Sequence, residues 1–113
     1  MAQPAPDPES HLDAVFGALS HATRRAMLRR LAQGPATIGE LVEPGTISKP
    51  AVSRHVAVLE SAGLLRRQRD GRLHRCSLRQ EGLADAQGFL DDTRAFWEGQ
   101  LDALADFLER DDG

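Results

Sequence analysis

The stretch 48–78 concentrates hydrogen-bond donors in two groups, Ser48, Lys49, Ser53, Arg54 and His55 first, then Arg66, Arg67, Arg69 and Arg72. Lys and Arg neutralise phosphates and donate to guanine O6 and N7, while Ser donates with less discrimination. Interleaved with the first group are Pro50, Ala51 and Ala57, small enough to let a backbone approach base edges closely. The chemistry on offer is recognition of an anionic, hydrogen-bonding surface. Bond-breaking chemistry has no apparatus: the sequence holds no glycine-rich phosphate loop, no nucleophile elbow and no metal-ligand cluster. The acidic pairs Asp91-Asp92 and Asp111-Asp112 read as solvated acids, so no enzymatic activity is expected.

Local signals place each donor group on an element. Ser48 is a favoured N-cap and Pro50 falls in the first turn, where its missing N–H costs nothing, so a helix starts there. Val52, Val56 and Leu59 share the apolar face of that helix. Lys49, Ser53, Arg54 and Ala57 share the opposite face, with Pro50 and His55 on its flanks. Gly63 is the C-cap glycine, and short strands over 64–69 and 73–78 meet at Asp70-Gly71, a dipeptide of the primed hairpin turns.

Upstream, Leu12, Val15, Phe16 and Leu19 form the apolar stripe of a helix over 12–19. Ser20 is the predicted cap of a second helix that ends at Gly34-Pro35. Thr37 and Glu40 form a T-x-x-E capping box for a third, which stops at Glu43-Pro44-Gly45. A long last helix spans 83–109. The expected fold is mostly α with a small β-hairpin (α+β), five helices in all. It is a winged helix-turn-helix whose fourth helix enters a DNA major groove about 12 Å wide beside a basic wing.

The chain has 113 residues, room for one domain, and ordinary globular composition, with 41% hydrophobic and 27% charged residues. Residues 1–10, with Pro4, Pro6 and Pro8, read as a disordered extension, and 11–110 as the winged domain. The net charge of −3 hides an asymmetry: 24–75 carry a local +7 and 76–113 a local −7. A phosphate-facing surface is therefore confined to the middle of the chain. There is no Tyr, and every Phe and the Trp lie outside 24–75, which disfavours the stacking platforms of single-strand binders. One cysteine, no signal peptide and no apolar run of membrane-spanning length point to a cytoplasmic protein.

The combination of Thr23-Arg24-Arg25, Ser48…Ala51-Val52-Ser53…His55, Leu59-Glu60…Ala62-Gly63-Leu64 and an Arg72-containing wing resembles the ArsR/SmtB family of bacterial transcriptional repressors. The likeness covers roughly 12–109, and the tail Phe96-Trp97…Leu101-Asp102…Leu104 is similar to a common subgroup. The resemblance implies a homodimeric winged helix that pairs through its first and last helices. Lys49, Ser53, Arg54 and His55 then face the groove and the 66–72 hairpin is the wing. Family members best known for metal sensing use a Cys-x-Cys pair on the third helix or Asp/His ligands on the last. Here the first region reads Glu40-Leu41-Val42-Glu43 and the last helix has no histidine. Thiophilic and borderline metals want thiolate or imidazole ligands, so no metal or other cofactor is expected.

Double-stranded DNA, as a palindromic operator, is the expected partner, read through Ser48, Lys49, Pro50, Ser53, Arg54, His55, Arg67, Arg69 and Arg72. The winged module alone, at about 60 residues, is marginal in size. Leu12, Val15, Phe16 and Leu19 with Leu90, Trp97, Leu101, Leu104 and Leu108 supply two stripes that a second copy can cover. Two rival readings are a winged-helix interaction module that never binds DNA and a thiol-responsive repressor using Cys76. Arg24, Arg25, Arg29 and Arg30 read either as a solvated face or as phosphate contacts.

Overall fold

Ser48 accepts a hydrogen bond from the Ala51 N–H at 3.2 Å, and helix α3 (Lys49–Ser61) begins on that cap with Pro50 in its first turn. It ends where Gly63 takes a φ of +76°. There the Gly63 N–H donates to Glu60 O and the Leu64 N–H to Leu59 O, the paired bonds of a Schellman motif. In the computed structural model, which describes residues 8–111, α3 is the centre of the architecture. Its Val52, Val56 and Leu59 are buried, and around them pack Val15 and Ala18 of α1 (Pro8–Leu19) and Met27 and Leu31 of α2 (Ala22–Leu31). Leu41, Leu64, Leu65 and Cys76 close the same core.

The sheet is antiparallel, in the order β1-β3-β2. Strand β1 (Ala36–Thr37), which carries too few residues to show a sequence period, pairs with β3 (Leu73–Leu78). Strand β2 (Leu65–Asp70) pairs with the same β3 in the register Arg69↔His74 and Asp70↔Leu73. The loop is therefore Gly71-Arg72 rather than Asp70-Gly71. Gly71 has φ +63° and no non-glycine residue among those described has positive φ, which fits a type II′ turn with glycine at its first central position.

Among the described residues there are four α-helices, not five. The third expected helix is a single 3₁₀ turn, Ile38–Glu40. Glu40 Oε1 does accept from the Thr37 N–H at 3.0 Å and from the Thr37 hydroxyl at 2.8 Å, as the T-x-x-E spacing predicts. Those bonds hold the carboxyl of Glu40 below its usual range, the backbone bond contributing most. The turn does not propagate because Gly39 disfavours helix and Pro44 excludes Glu43 from it, leaving too few residues to offset nucleation.

Helix α1 begins at Pro8, so residues 8–10 are helical rather than part of an extension; residues 1–7 lie outside the described residues. The cap of α2 is His21, whose Nδ1 accepts from the Thr23 N–H at 3.2 Å, and not Ser20. Ser20 lies one residue too early, and its hydroxyl donates to Gly17 O at 2.6 Å.

The last helix, α4 (Glu81–Asp111), leaves the sheet through a close crossing where the Gly82 N–H donates to Gly63 O at 3.1 Å. A Cβ on Gly82 would collide with that carbonyl, so the crossing requires glycine. Ala86 is the last fully buried residue of α4, and from Arg94 to Arg110 every residue is exposed. The radius of gyration is 19.8 Å, against about 13 Å for a compact chain of this length. Most of α4 thus stands away from the body.

Candidate nucleic-acid interface

The core-facing residues of α3 decide which side chains it can offer. With Val52, Val56 and Leu59 pinned inward, the outward arc holds Lys49, Pro50, Ser53, Arg54 and Ala57, all exposed, with Ser48 exposed at the cap. These side chains form one exposed face of α3. Lys49 and Arg54 make no ion pair among the described residues, so their charges are available to an incoming anion.

His55 lies off this arc. It is half-buried toward α2, with its ring 4.5 Å from that of His21 and its Nδ1 3.1 Å from Arg24 Nη1. Burial, followed by the charges of His21, Arg24 and Arg54, depresses its pKa, which favours the neutral imidazole. Sequence spacing placed His55 on a flank but could not show that its ring is already engaged.

On the wing, alternation gives Leu65, Arg67 and Arg69 of β2 one face, shared with His74, Cys76 and Leu78 of β3. Arg67 on this face reaches the end of α3, where its Nη2 meets Glu60 Oε1 at 3.0 Å. Arg69 lies two residues, about 7 Å, farther toward the tip, exposed, and Arg72 is exposed in the turn itself. His74, directly opposite Arg69, is a donor that sequence reasoning missed. The register that sets it on the face of Arg69 is legible only once the turn is placed. Arg66 faces the other way, paired with Ser77.

Three of the four α2 arginines are used inside the chain. Arg24 Nε donates to Ala18 O at 2.7 Å and its Nη2 to Gly17 O at 3.1 Å, while Arg25 Nη1 donates to Leu19 O at 2.7 Å. They neutralise the unpaired carbonyls and negative dipole end of α1, whose own last turn has no basic residue. Arg30 Nη1 donates to Gly34 O at 3.3 Å.

Cys76 is fully buried, and burial pushes its thiol pKa up, only partly opposed by Arg67. Such a thiol is neither accessible nor ionised, which removes the basis for the thiol-responsive reading. Glu40 is committed to Thr37, and among the described residues of the chain no three His, Cys, Asp or Glu side chains converge.

A helix-turn-helix domain model matches residues 19–68. The HTH-type transcriptional regulator Rv2034 of Mycobacterium tuberculosis is 37% identical over 97 residues, covering 86% of this chain and 88% of the relative. The crystal structure of the ArsR family transcriptional regulator RHA00566 superposes with a TM-score of 0.75 at 35% identity, covering 87% of this chain and 97% of that one. The chain belongs to the ArsR/SmtB family of winged-helix transcriptional regulators. The transcriptional repressor SdpR of Bacillus subtilis is 38% identical over 72 residues, 64% of this chain and 80% of the relative. As a member of this family the chain is a DNA-binding regulator and not an enzyme. Among its described residues no helix is long and apolar enough to cross a membrane.

The first-helix stripe requires a correction. Val15 is 0% exposed and belongs to the chain's own core, so it cannot line an interface. Leu12 and Leu19 are half-buried, and Phe16 packs edge-on against Phe89 with centroids 5.7 Å apart. Leu90, Trp97, Leu101, Leu104 and Leu108 on α4 are each about half exposed or more.

Proposed function

We propose that this protein is a cytoplasmic homodimeric repressor, built on a winged domain over 11–110, that binds a palindromic operator and blocks transcription by occupancy. The observation that carries the reading is the exposed arc Lys49, Pro50, Ser53, Arg54 and Ala57 on a helix whose other side is wholly core. A helix with that division enters a groove by its first turns. Ser48 and Lys49 at the helix start bind phosphate, Arg54 reads a base edge, and Arg69 and Arg72 hold the flanking backbone. His55 contributes from the flank, and Arg67 contributes only in so far as it leaves Glu60. The half-exposed apolar side chains of α4 pair across a two-fold axis and set two α3 helices about one DNA turn apart.

The test is selection of bound duplexes from randomised DNA, followed by titration of the recovered sequence. Arg54→Ala is expected to cost about 1–3 kcal/mol and to relax preference at one position in each half-site. Arg69→Ala and Arg72→Ala are expected to weaken binding to all sequences and to flatten its salt dependence. An Arg54→Ala protein that binds the selected duplex as tightly as wild type overturns the assignment of α3 as reader.

A further inference from the structure

Arg24 hydrogen-bonds both to the end of α1 and to the reading helix. Its Nε and Nη2 are spent on Ala18 O and Gly17 O, and its Nη1 lies 3.1 Å from His55 Nδ1. A guanidinium has five N–H donors and no acceptor. His55 Nδ1 must therefore present its lone pair, and the ring proton of the neutral imidazole must reside on Nε2. The anchor is rigid, because two bonds to the helix end fix the guanidinium plane before the third is made. Beneath it, His21 is constrained in the same way, since its own Nδ1 accepts from the Thr23 N–H.

We infer that Arg24 is the positioning residue of the DNA reader: held on the end of α1, it fixes His55 as the Nε2–H tautomer and makes position 55 a pure hydrogen-bond donor. A donor at that place matches an acceptor on DNA, a phosphate oxygen or a purine N7, and rejects an amino group. The same contact ties the register of α3 to α1, the helix that packs against α4. The inference rests on α3 being the DNA-facing helix, but its first test does not.

That test is ¹⁵N NMR of the full chain labelled at histidine. At pH 8 the His55 ring is expected as the Nε2–H tautomer, and Arg24→Met, which keeps the stem and removes the donors, is expected to give a tautomer mixture. Protonating Nδ1 must break the Arg24 bond and set a cation against Arg24, Arg54 and His21, so Arg24→Met is also expected to raise the His55 titration midpoint. A wild-type Nδ1–H tautomer, or a midpoint that Arg24→Met does not move, overturns the inference. If Arg24→Met fails to fold, the wild-type tautomer still decides.

The second arm is a double-mutant cycle on the selected duplex. Arg24→Met is expected to lower affinity roughly tenfold in the wild-type background and less than twofold in His55→Ala, as for residues acting as one unit. Equal losses in both backgrounds mean that Arg24 does not act through His55. Should the wild-type protein show the Nε2–H tautomer yet bind no duplex, the DNA reading of α3 fails while the Arg24–His55 relationship stands.

Discussion

Arg67 Nη2 and Glu60 Oε1 meet at 3.0 Å, joining the β2–β3 hairpin to the last turn of α3. Their side chains are 29% and 39% exposed, so solvent screens the pair and its contribution to stability is about 1 kcal/mol or less. Its consequence is for charge: one of the wing's arginines is neutralised and turned inward, while Arg69 and Arg72 make no ion pair among the described residues.

Arg67→Ala is accordingly expected to weaken DNA binding less than Arg69→Ala or Arg72→Ala. Glu60→Gln removes an acid and frees Arg67, so it is expected to steepen the dependence of affinity on salt by up to one counterion. Fluorescence anisotropy of a labelled duplex across a salt series measures both. An Arg67→Ala loss as large as that of Arg72→Ala would show that the guanidinium swings from Glu60 to phosphate.

Cys76 faces the core opposite Arg67 on β2 and is fully buried, its thiol held protonated by desolvation. A thiol-specific colorimetric reagent is expected to react only as the chain unfolds, and peroxide is expected to leave operator affinity unchanged. Cys76→Ala removes a buried sulfur and is expected to cost about 1 kcal/mol without altering DNA binding. Rapid stoichiometric labelling of the native protein would contradict this placement.

The parts of the fold legible in the sequence are those set by local chemistry. Ser48 before Pro50, and Gly63 after Ala62, mark the ends of α3 because a cap and a left-handed turn each need a particular residue at a particular place. The period of Val52, Val56 and Leu59 likewise exposes Lys49, Ser53 and Arg54. What stayed illegible depends on residues distant in the chain. The capping box at Thr37 and Glu40 forms, yet helix growth beyond it is decided by Gly39 and Pro44. Arg24 and Arg25 look like a solvated face until the end of α1 is placed beside them, and His55 looks free until Arg24 reaches it across 31 positions. Val15 has the spacing of an interface stripe, and only the packing of α1 on α3 shows it to be core.

Stability is expected to fall as pH drops from 7.5 to 5.5. Burial and the neighbouring charges hold His55 below the ordinary imidazole value of 6.5 in the folded chain. Between its folded and unfolded midpoints the unfolded chain binds more protons, so stability rises with pH there and is lost on acidification through about 6.5. Glu40, also lowered, acts in the same direction at more acid pH, with its contribution fading as pH falls below 4.5. Thermal melts at pH 7.5, 6.5 and 5.5 test the first step. His55→Gln, which has no charge to gain, is expected to flatten it, and an unchanged pH profile in that variant would assign the loss to other groups.

The exposed length of α4 calls for a partner surface. Leu90, Trp97, Leu101, Leu104 and Leu108 recur at heptad-like spacing, and Phe96 and Phe107 are at least 60% exposed on the same helix. An apolar patch running along most of a helix about 46 Å long is larger than a soluble monomer ordinarily leaves to water. In the proposed dimer a second copy covers it with matching chemistry, because a two-fold axis sets the same side chains against themselves. Trp97→Ala is expected to weaken self-association and Leu104→Asp to abolish it at micromolar protein, read as mass in sedimentation equilibrium. Since few residues of α4 beyond Ala86 touch the winged body, Leu104→Asp is expected to leave a folded monomer with native circular dichroism and reduced affinity for a two-half-site duplex. A dimer mass retained by Leu104→Asp would place the interface elsewhere.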